Sequence, residues 1–298
     1  MSAFGTPLRE LLGVRFPIVQ APMAGNAPPA LAAAVSAAGA LGSVAGATLS
    51  PDELRAAIGE VRRATDRPFA VNLFAPPYLG EESLDVVLDE RPPVLSFTFG
   101  IVDPAPLREA GLVTLGTATT VEEARALEQA GVDAVVAQGA EAGGHRGSFL
   151  GGFPLVPLAE LVPACVDAVS LPVVAAGGIM DGAGIARLLR LGAAGVSLGT
   201  AFLFAPEAER PHEHLDALRS LETVVTDAYT GRPMRAARTP VLEELMAGPP
   251  PLPFPEQRRV ALEHGPLFMG GTGAAQGREL KAAELVRLLA IEATIDAA

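Results

Sequence analysis

The sequence predicts an α/β protein, a (β/α)8 TIM barrel with a small helical cap domain, and three observations predict it. Eight short apolar runs recur between Pro17 and Thr200, helical segments separate most of them, and nearly every run ends in Gly, Asn, Gln or Thr. Runs apolar on both faces suit parallel strands covered on both sides. Polar and small residues gathered at strand ends suit a barrel whose C-terminal mouth is one shared site. A doubly wound open sheet is the alternative that the same alternation permits.

In chain order the runs are PIVQAP (17–22), LGSVAG (41–46), FAVNLF (69–74), VLSFTF (94–99), LVTLGTA (112–118), AVVAQG (134–139), PVVAAGG (172–178) and GVSLGT (195–200). The clearest helices between them are PALAAAVSAAG, SPDELRAAIGEVRRA, TVEEARALEQAG and DGAGIARLLRLG. Ser50 followed by Pro51 and Glu53 has the spacing of a capping box, and Thr120 with Glu123 repeats it. Gly39, Gly131 and Gly192 close helices where a left-handed cap is expected.

Two pieces exceed the minimal repeat. Residues 75–93 lengthen the third connection, and residues 206–271 follow the eighth strand and include the stiff, proline-rich GPPPLPFP (248–255). The expected organisation is a barrel of residues 1–74, 94–205 and 272–298, with 75–93 and 206–271 forming a small helical domain over its mouth. KAAELVRLLAIEATI has helical periodicity and is expected to pack on the barrel's outside.

At 298 residues, with 49% hydrophobic and 19% charged, the chain has the material for a substantial core. A net charge of −12 without clustered cations excludes a nucleic-acid binder. Cys165 stands alone in a helix-like stretch and reads as a small buried hydrophobe. The start, MSAFGTPLRE, lacks the pattern of a signal peptide, and the Ala/Gly/Ser-rich 31–47 stretch is too weakly apolar for a membrane span. A cytoplasmic protein is expected, with a homodimer as the default assembly.

The most informative long segment is AAGGIMDGAGIARLLRLGAAGVSLGTAF (175–202). One run ends in Gly177-Gly178, a helix begins near Asp181, and the next run ends in Gly199-Thr200. In barrels, loops at this place hold a phosphate with backbone amides and a helix N-terminus. Asn72 and Gln138 end strands with amides able to donate and accept, which suits a heteroaromatic ring. QAPMAG (20–25) is placed to run beside such a ring. QGAEAGGHRG (138–147) sets His145 among glycines, as expected where a flat ligand approaches the backbone.

With AP-M-AG, VNLF, SFTFG, QGAEAGGHRG, AAGGI and SLGTAF in this order, the chain resembles the nitronate monooxygenase family, formerly the 2-nitropropane dioxygenases. TGRPMRAART, ending at Thr239, also looks family-like. The resemblance implies a barrel that binds FMN, and oxidation of alkyl nitronates or nitroalkanes with O2. By position, Ala21, Pro22, Met23, Asn72, Gln138, Gly143, Gly144, Gly177, Gly178, Ser197, Leu198, Gly199 and Thr200 would contact FMN. His145 would be the catalytic histidine, with Thr98, Arg146 and Tyr229 expected along the substrate.

Two departures bear on substrate. Thr98 stands where relatives often carry histidine in SF-x-FG, and LFMGGTGAAQ (267–276) lacks the tryptophan relatives often have there. The alternative on the same barrel is an FMN-dependent NAD(P)H reductase of quinones or enoyl thioesters. A flavin-free barrel acting on a phosphorylated metabolite and a non-catalytic flavin binder are further alternatives. His212 and His214, two residues apart, face different directions on a helix, and no metal is expected.

Overall fold

The computed structural model describes residues 5–296. Eleven strands, β1 to β11 in chain order, lie in two sheets. The barrel strands are β1 (Ile18–Gln20), β2 (Gly42–Ala45), β3 (Phe69–Phe74), β4 (Val94–Thr98), β5 (Val113–Ala118), β6 (Ala134–Gln138), β8 (Val173–Ala176) and β9 (Gly195–Leu198). They pair in parallel in the order β1-β9-β8-β6-β5-β4-β3-β2. A parallel bridge between Val19 and Leu41 joins the two ends, with Gln20 N donating to Leu41 O at 2.8 Å. The closed barrel, not the open sheet, is the fold.

Closure follows from the strands' character. β2, β8 and β9 are buried at every residue, so each needs a side-chain layer on both faces. Inside, Val19, Leu41, Ala70, Val94, Leu115, Ala134 and Val174 form one cluster with Leu8 and Leu12 of the N-terminal helix Pro7–Leu12. Outside, a second layer joins the strands to the helices, and the C-terminal helix Ala282–Ile295 packs there beside Gly182–Arg190 as expected.

The local signals hold with one change. Ser50 and Glu53 make the full capping box, and Gly39, Gly131 and Gly192 all have positive φ. Thr120 does cap its helix, accepting from Glu123 N at 3.1 Å. The Glu123 carboxylate instead takes Thr119 N and Oγ1 at 2.7 and 2.8 Å and turns to the loop after His145.

Helix Glu81–Glu90, within 75–93, belongs to the barrel's outer ring, because Val86 and Val87 are buried there. Arg62 of the preceding helix meets its Glu90 at 2.6 Å. Residues 206–271 hold helices His212–Ser220, Pro240–Ala247 and Glu256–Ala261, plus a hairpin the sequence reading did not include. That hairpin is β10 (Thr223–Thr226) with β11 (Met234–Ala237), and β11 also pairs antiparallel with β7 (Gly144–His145). Tyr229, Met234, Ala236, Leu242 and Ala261 form the core of this region.

Candidate active site

His145 is carried on β7, where Met234 is its partner across the ladder. Gly144 before it has φ +75°, a turn that glycine adopts without strain. Gln138, at the end of β6, holds the same turn with both ends of its amide. Its Nε2 donates to His145 O at 3.0 Å, and its Oε1 accepts from Gly147 N at 2.8 Å. Arg146 is fully buried and donates to Gly139 O and Gln138 O at 2.7 and 2.9 Å. The guanidinium thus straps the turn back onto the strand end. Glu141 accepts from Leu158 N at 2.9 Å, a carboxylate at a helix N-terminus.

The turn is also held from beyond. Arg232, in the loop between β10 and β11, donates to Arg146 O at 3.2 Å and to Ser148 O, on either side of Gly147. Its guanidinium lies 3.9 Å from the centroid of the Phe99 ring, against which Tyr78 also packs edge-on. Phe99 has φ +76°, a rare backbone for an aromatic residue and one that costs about 1–3 kcal/mol where it occurs. Glu123, 1% exposed, accepts from Phe149 N and Leu150 N and so anchors the far end of the loop.

His145 Nε2 is buried and has no hydrogen-bond partner. Phe99 and Phe254 meet the imidazole edge-on at 5.9 and 5.3 Å, so apolar rings stand where water would otherwise solvate a charge. Burial, with Arg232 and Arg258 adding positive charge nearby, pushes the imidazole down to about 3. His145 is therefore neutral throughout the physiological range.

The predicted phosphate end gathers around a third segment. Gly271 N donates to Thr200 Oγ1 at 2.9 Å, and Thr272 N donates to Glu141 O at 3.1 Å. The GGTG loop therefore touches the ends of β6 and β9. A Cβ on Gly178 would lie 3.0 Å from Thr272 Oγ1, so the same loop reaches β8. Among the described residues, the amides of Gly178, Gly199 and Thr200 donate to no protein acceptor. Met23 Sδ and Ala21 Cβ sit 3.6 and 3.5 Å from the Cβ position of Gly199, so QAPMAG, expected beside a ring, adjoins this cradle.

The helix N-terminus beside it is not part of the cradle. Gly182 N donates to Glu292 at 2.9 Å and Gly184 N to Asp181 at 2.8 Å, so carboxylates of the protein already satisfy it. The unpartnered amides here are those at the ends of β8 and β9.

A family model for nitronate monooxygenase matches residues 5–82 and 78–287 of this chain. The chain belongs to the nitronate monooxygenase family. It is 41% identical to the Pseudomonas aeruginosa nitronate monooxygenase, over 95% of this chain and 97% of that one. The nitroalkane oxidase structure from Streptomyces ansochromogenes superposes with a TM-score of 0.90 at 38% identity, covering 97% and 98% of the two chains. FabK from Thermotoga maritima superposes at 0.83 with 32% identity, over 97% and 96%.

Nitronate monooxygenases are flavin-dependent, and the donor set here fits a flavin phosphate: unpartnered amides, the Thr200 hydroxyl, and a Gly178 whose missing Cβ keeps the cradle open. Asn72 lines the same mouth, its Nδ2 donating to Ser96 Oγ at 3.0 Å and its amide oxygen taking no protein donor. Gly177 abuts Ala142, Ser197 is buried within β9, and the Leu198 carbonyl accepts from Ala21 N.

Gly143 has a second reason to be glycine, since a Cβ there would lie 2.5 Å from the Gly270 carbonyl carbon. Thr98 lies under the His145 turn, its hydroxyl 3.5 Å from that of Thr117. Tyr229 is not at the mouth surface. It is 1% exposed in the core of residues 206–271 and donates to Gly265 O at 2.5 Å. The Tyr229 hydroxyl is thus spent on a carbonyl, and Arg146 gives Nη1 and Nη2 to carbonyls while its buried Nε has no partner. Sequence reading missed Arg232, Phe254 and Glu123; only TGRPMRAART carried a signal, for the first of them.

Proposed function

We propose that this family member oxidises alkyl nitronates with FMN and O2, His145 standing beside the reacting carbon. FMN would take electrons from the nitronate and pass them to O2. The amides of Gly178, Gly199 and Thr200 would hold its phosphate, and Ala21 to Met23, Asn72 and Gln138 would border its ring. Residues 206–271 would cover the substrate.

The observation that carries the reading is the buried, unpartnered Nε2 of a neutral His145 within a positive field. The field of Arg232 and Arg258 that disfavours an imidazolium favours an anion in the same place. An imidazole with basicity depressed to about 3 removes an α-proton poorly. Both points favour a substrate that arrives already deprotonated, a nitronate over its neutral nitroalkane. Thr98 offers a hydroxyl to the nitronate oxygens under the same turn.

The test is oxygen consumption by the purified yellow protein with ethyl nitronate and, separately, nitroethane. The reading expects turnover with the nitronate and at most weak turnover with nitroethane. Equal rates, or flavin reduction by NADH or NADPH alone, would overturn it.

A further inference from the structure

Two aromatic rings, Phe99 and Phe254, meet His145, and Phe74 and Tyr78 pack against those two. Phe254 is central to them: its ring centroid lies 5.3 Å from the imidazole, 5.1 Å from Tyr78, 5.9 Å from Phe99 and 6.4 Å from Phe74. All four contacts are edge-on and at packing distance, so no methylene group fits between Phe254 and His145 as they stand.

The rings are held to different degrees. Phe99 is pinned beneath Arg232, and Tyr78 packs edge-on against Phe99. Phe254 instead hangs from the proline-rich strap, which is fastened through its backbone. Leu252 N donates to Gln257 Oε1 at 3.0 Å, and Gln257 Nε2 donates to Ala228 O at 2.8 Å. Gly231 lies so close under Leu252 O and Phe254 N that a side chain there would collide with them. The strap's course does not depend on the Phe254 side chain. The ring is an insert, carried from outside the barrel into the space beside the unpartnered Nε2.

We propose that Phe254 is a specificity-determining residue: its ring is the wall against which the substrate's alkyl group packs beside His145, and it limits that group to a short, unbranched chain. This rests on reading the site as one for nitronates. The polar head is served by Thr98 and the positive field, so only the apolar end is left for Phe254 to select. A longer chain gains contact only where the ring yields. Discrimination by one methylene in an apolar pocket is about 10- to 200-fold.

The test uses Phe254→Ala and Phe254→Leu in the flavin-loaded protein. Propanoate and hexanoate serve as unreactive planar anions shaped like a nitronate head with short and long tails. Their binding is measured by calorimetry and by the perturbation of the flavin spectrum, beside kcat/KM for ethyl and hexyl nitronate. The wild type is expected to favour the short chain by about tenfold or more. Phe254→Ala is expected to abolish or reverse that preference and Phe254→Leu to fall between, with flavin content unchanged and Tm lowered by the loss of ring packing, less in Phe254→Leu. A wild type without a chain-length preference, or a ratio within twofold of wild type in Phe254→Ala, overturns the proposal. If ethyl nitronate is not oxidised at all, the functional reading falls, and the carboxylate ratio still decides the role of Phe254.

Discussion

Gln138 holds His145 by its backbone: Nε2 donates to the His145 carbonyl at 3.0 Å while Oε1 accepts from Gly147 N at 2.8 Å. One strand-end side chain thereby fixes both sides of the turn that presents the imidazole. The amide's free hydrogen and lone pair remain for a ring bordering the same strand end. The two roles separate in a variant. Gln138→Leu loses two hydrogen bonds, a cost of about 1–3 kcal/mol in stability. The expected outcome is a kcat loss of about tenfold or more with FMN affinity lowered less than tenfold, read by flavin titration of the apoprotein. An FMN affinity that collapses while kcat survives would place Gln138 on the flavin alone.

Arg232 acts on the same turn from the cover. Its bonds to Arg146 O and Ser148 O make it a positioning residue, and its charge helps keep His145 neutral. Arg232→Met is expected to lower kcat/KM for ethyl nitronate about 10- to 100-fold and to raise KM more than it lowers kcat, because an attractive charge is lost. Lysine at this position restores charge but not the forked clamp, so Arg232→Lys should recover KM better than kcat.

The pH dependence follows from the depressed imidazole. With His145 held at about 3, the activity profile should show no limb near the ordinary histidine value of 6.5 between pH 5 and 8. The sign for stability is opposite in feel but follows the same shift. Between about 3 and 6.5 the unfolded chain binds the proton that the folded chain refuses, so His145 lowers stability progressively as pH falls through that window. His145→Gln should flatten that part of the stability curve, measured by urea unfolding at several pH values.

Glu123 carries the loop's far end. A buried carboxylate serving Thr119 N and Oγ1, Phe149 N and Leu150 N leaves three backbone donors unpaired when it is removed, the Thr119 hydroxyl keeping Ser148 Oγ. Glu123→Ala should cost about 3 kcal/mol or more in urea unfolding with an unchanged m-value. A loss under 1 kcal/mol would show that water replaces the carboxylate.

Gly178 tests the phosphate cradle. Its φ is +66°, and an added Cβ would lie 2.9 Å from Glu141 Cβ and 3.0 Å from Thr272 Oγ1. Gly178→Ala should weaken FMN binding at least tenfold while Tm of the apoprotein changes little more than the strained φ requires, about 1 kcal/mol. Unchanged FMN affinity would move the phosphate elsewhere.

The barrel was legible because buried parallel strands are written as continuous apolar runs, and their ends were legible because small and amide residues interrupt those runs. His145 stood out for the same reason, by its glycines. The meaning of those glycines was only half readable. Gly143 makes room for the backbone of Gly270 and Gly271, a contact between segments far apart in the chain. Arg232 is 86 residues from the carbonyl it holds, and Phe254 lies in a strap that composition describes only as stiff. The hairpin β10–β11 escaped because its strands are short, half-exposed in part and embedded between helices. Helix Glu81–Glu90 read as an insertion because its connection is long, although it buries an ordinary ring-helix face.

His145 is proposed to serve the transfer of electrons from a nitronate to the flavin. Anaerobic rapid mixing of the wild type and His145→Ala with ethyl nitronate, following the oxidised-flavin absorbance, tests it most directly. Fast loss of that absorbance is expected in the wild type, and a rate about 10²-fold or more slower in the variant at equal flavin content, the cost of losing a group that positions the substrate. Equal rates in the two proteins, or no bleaching of the wild type, would contradict it.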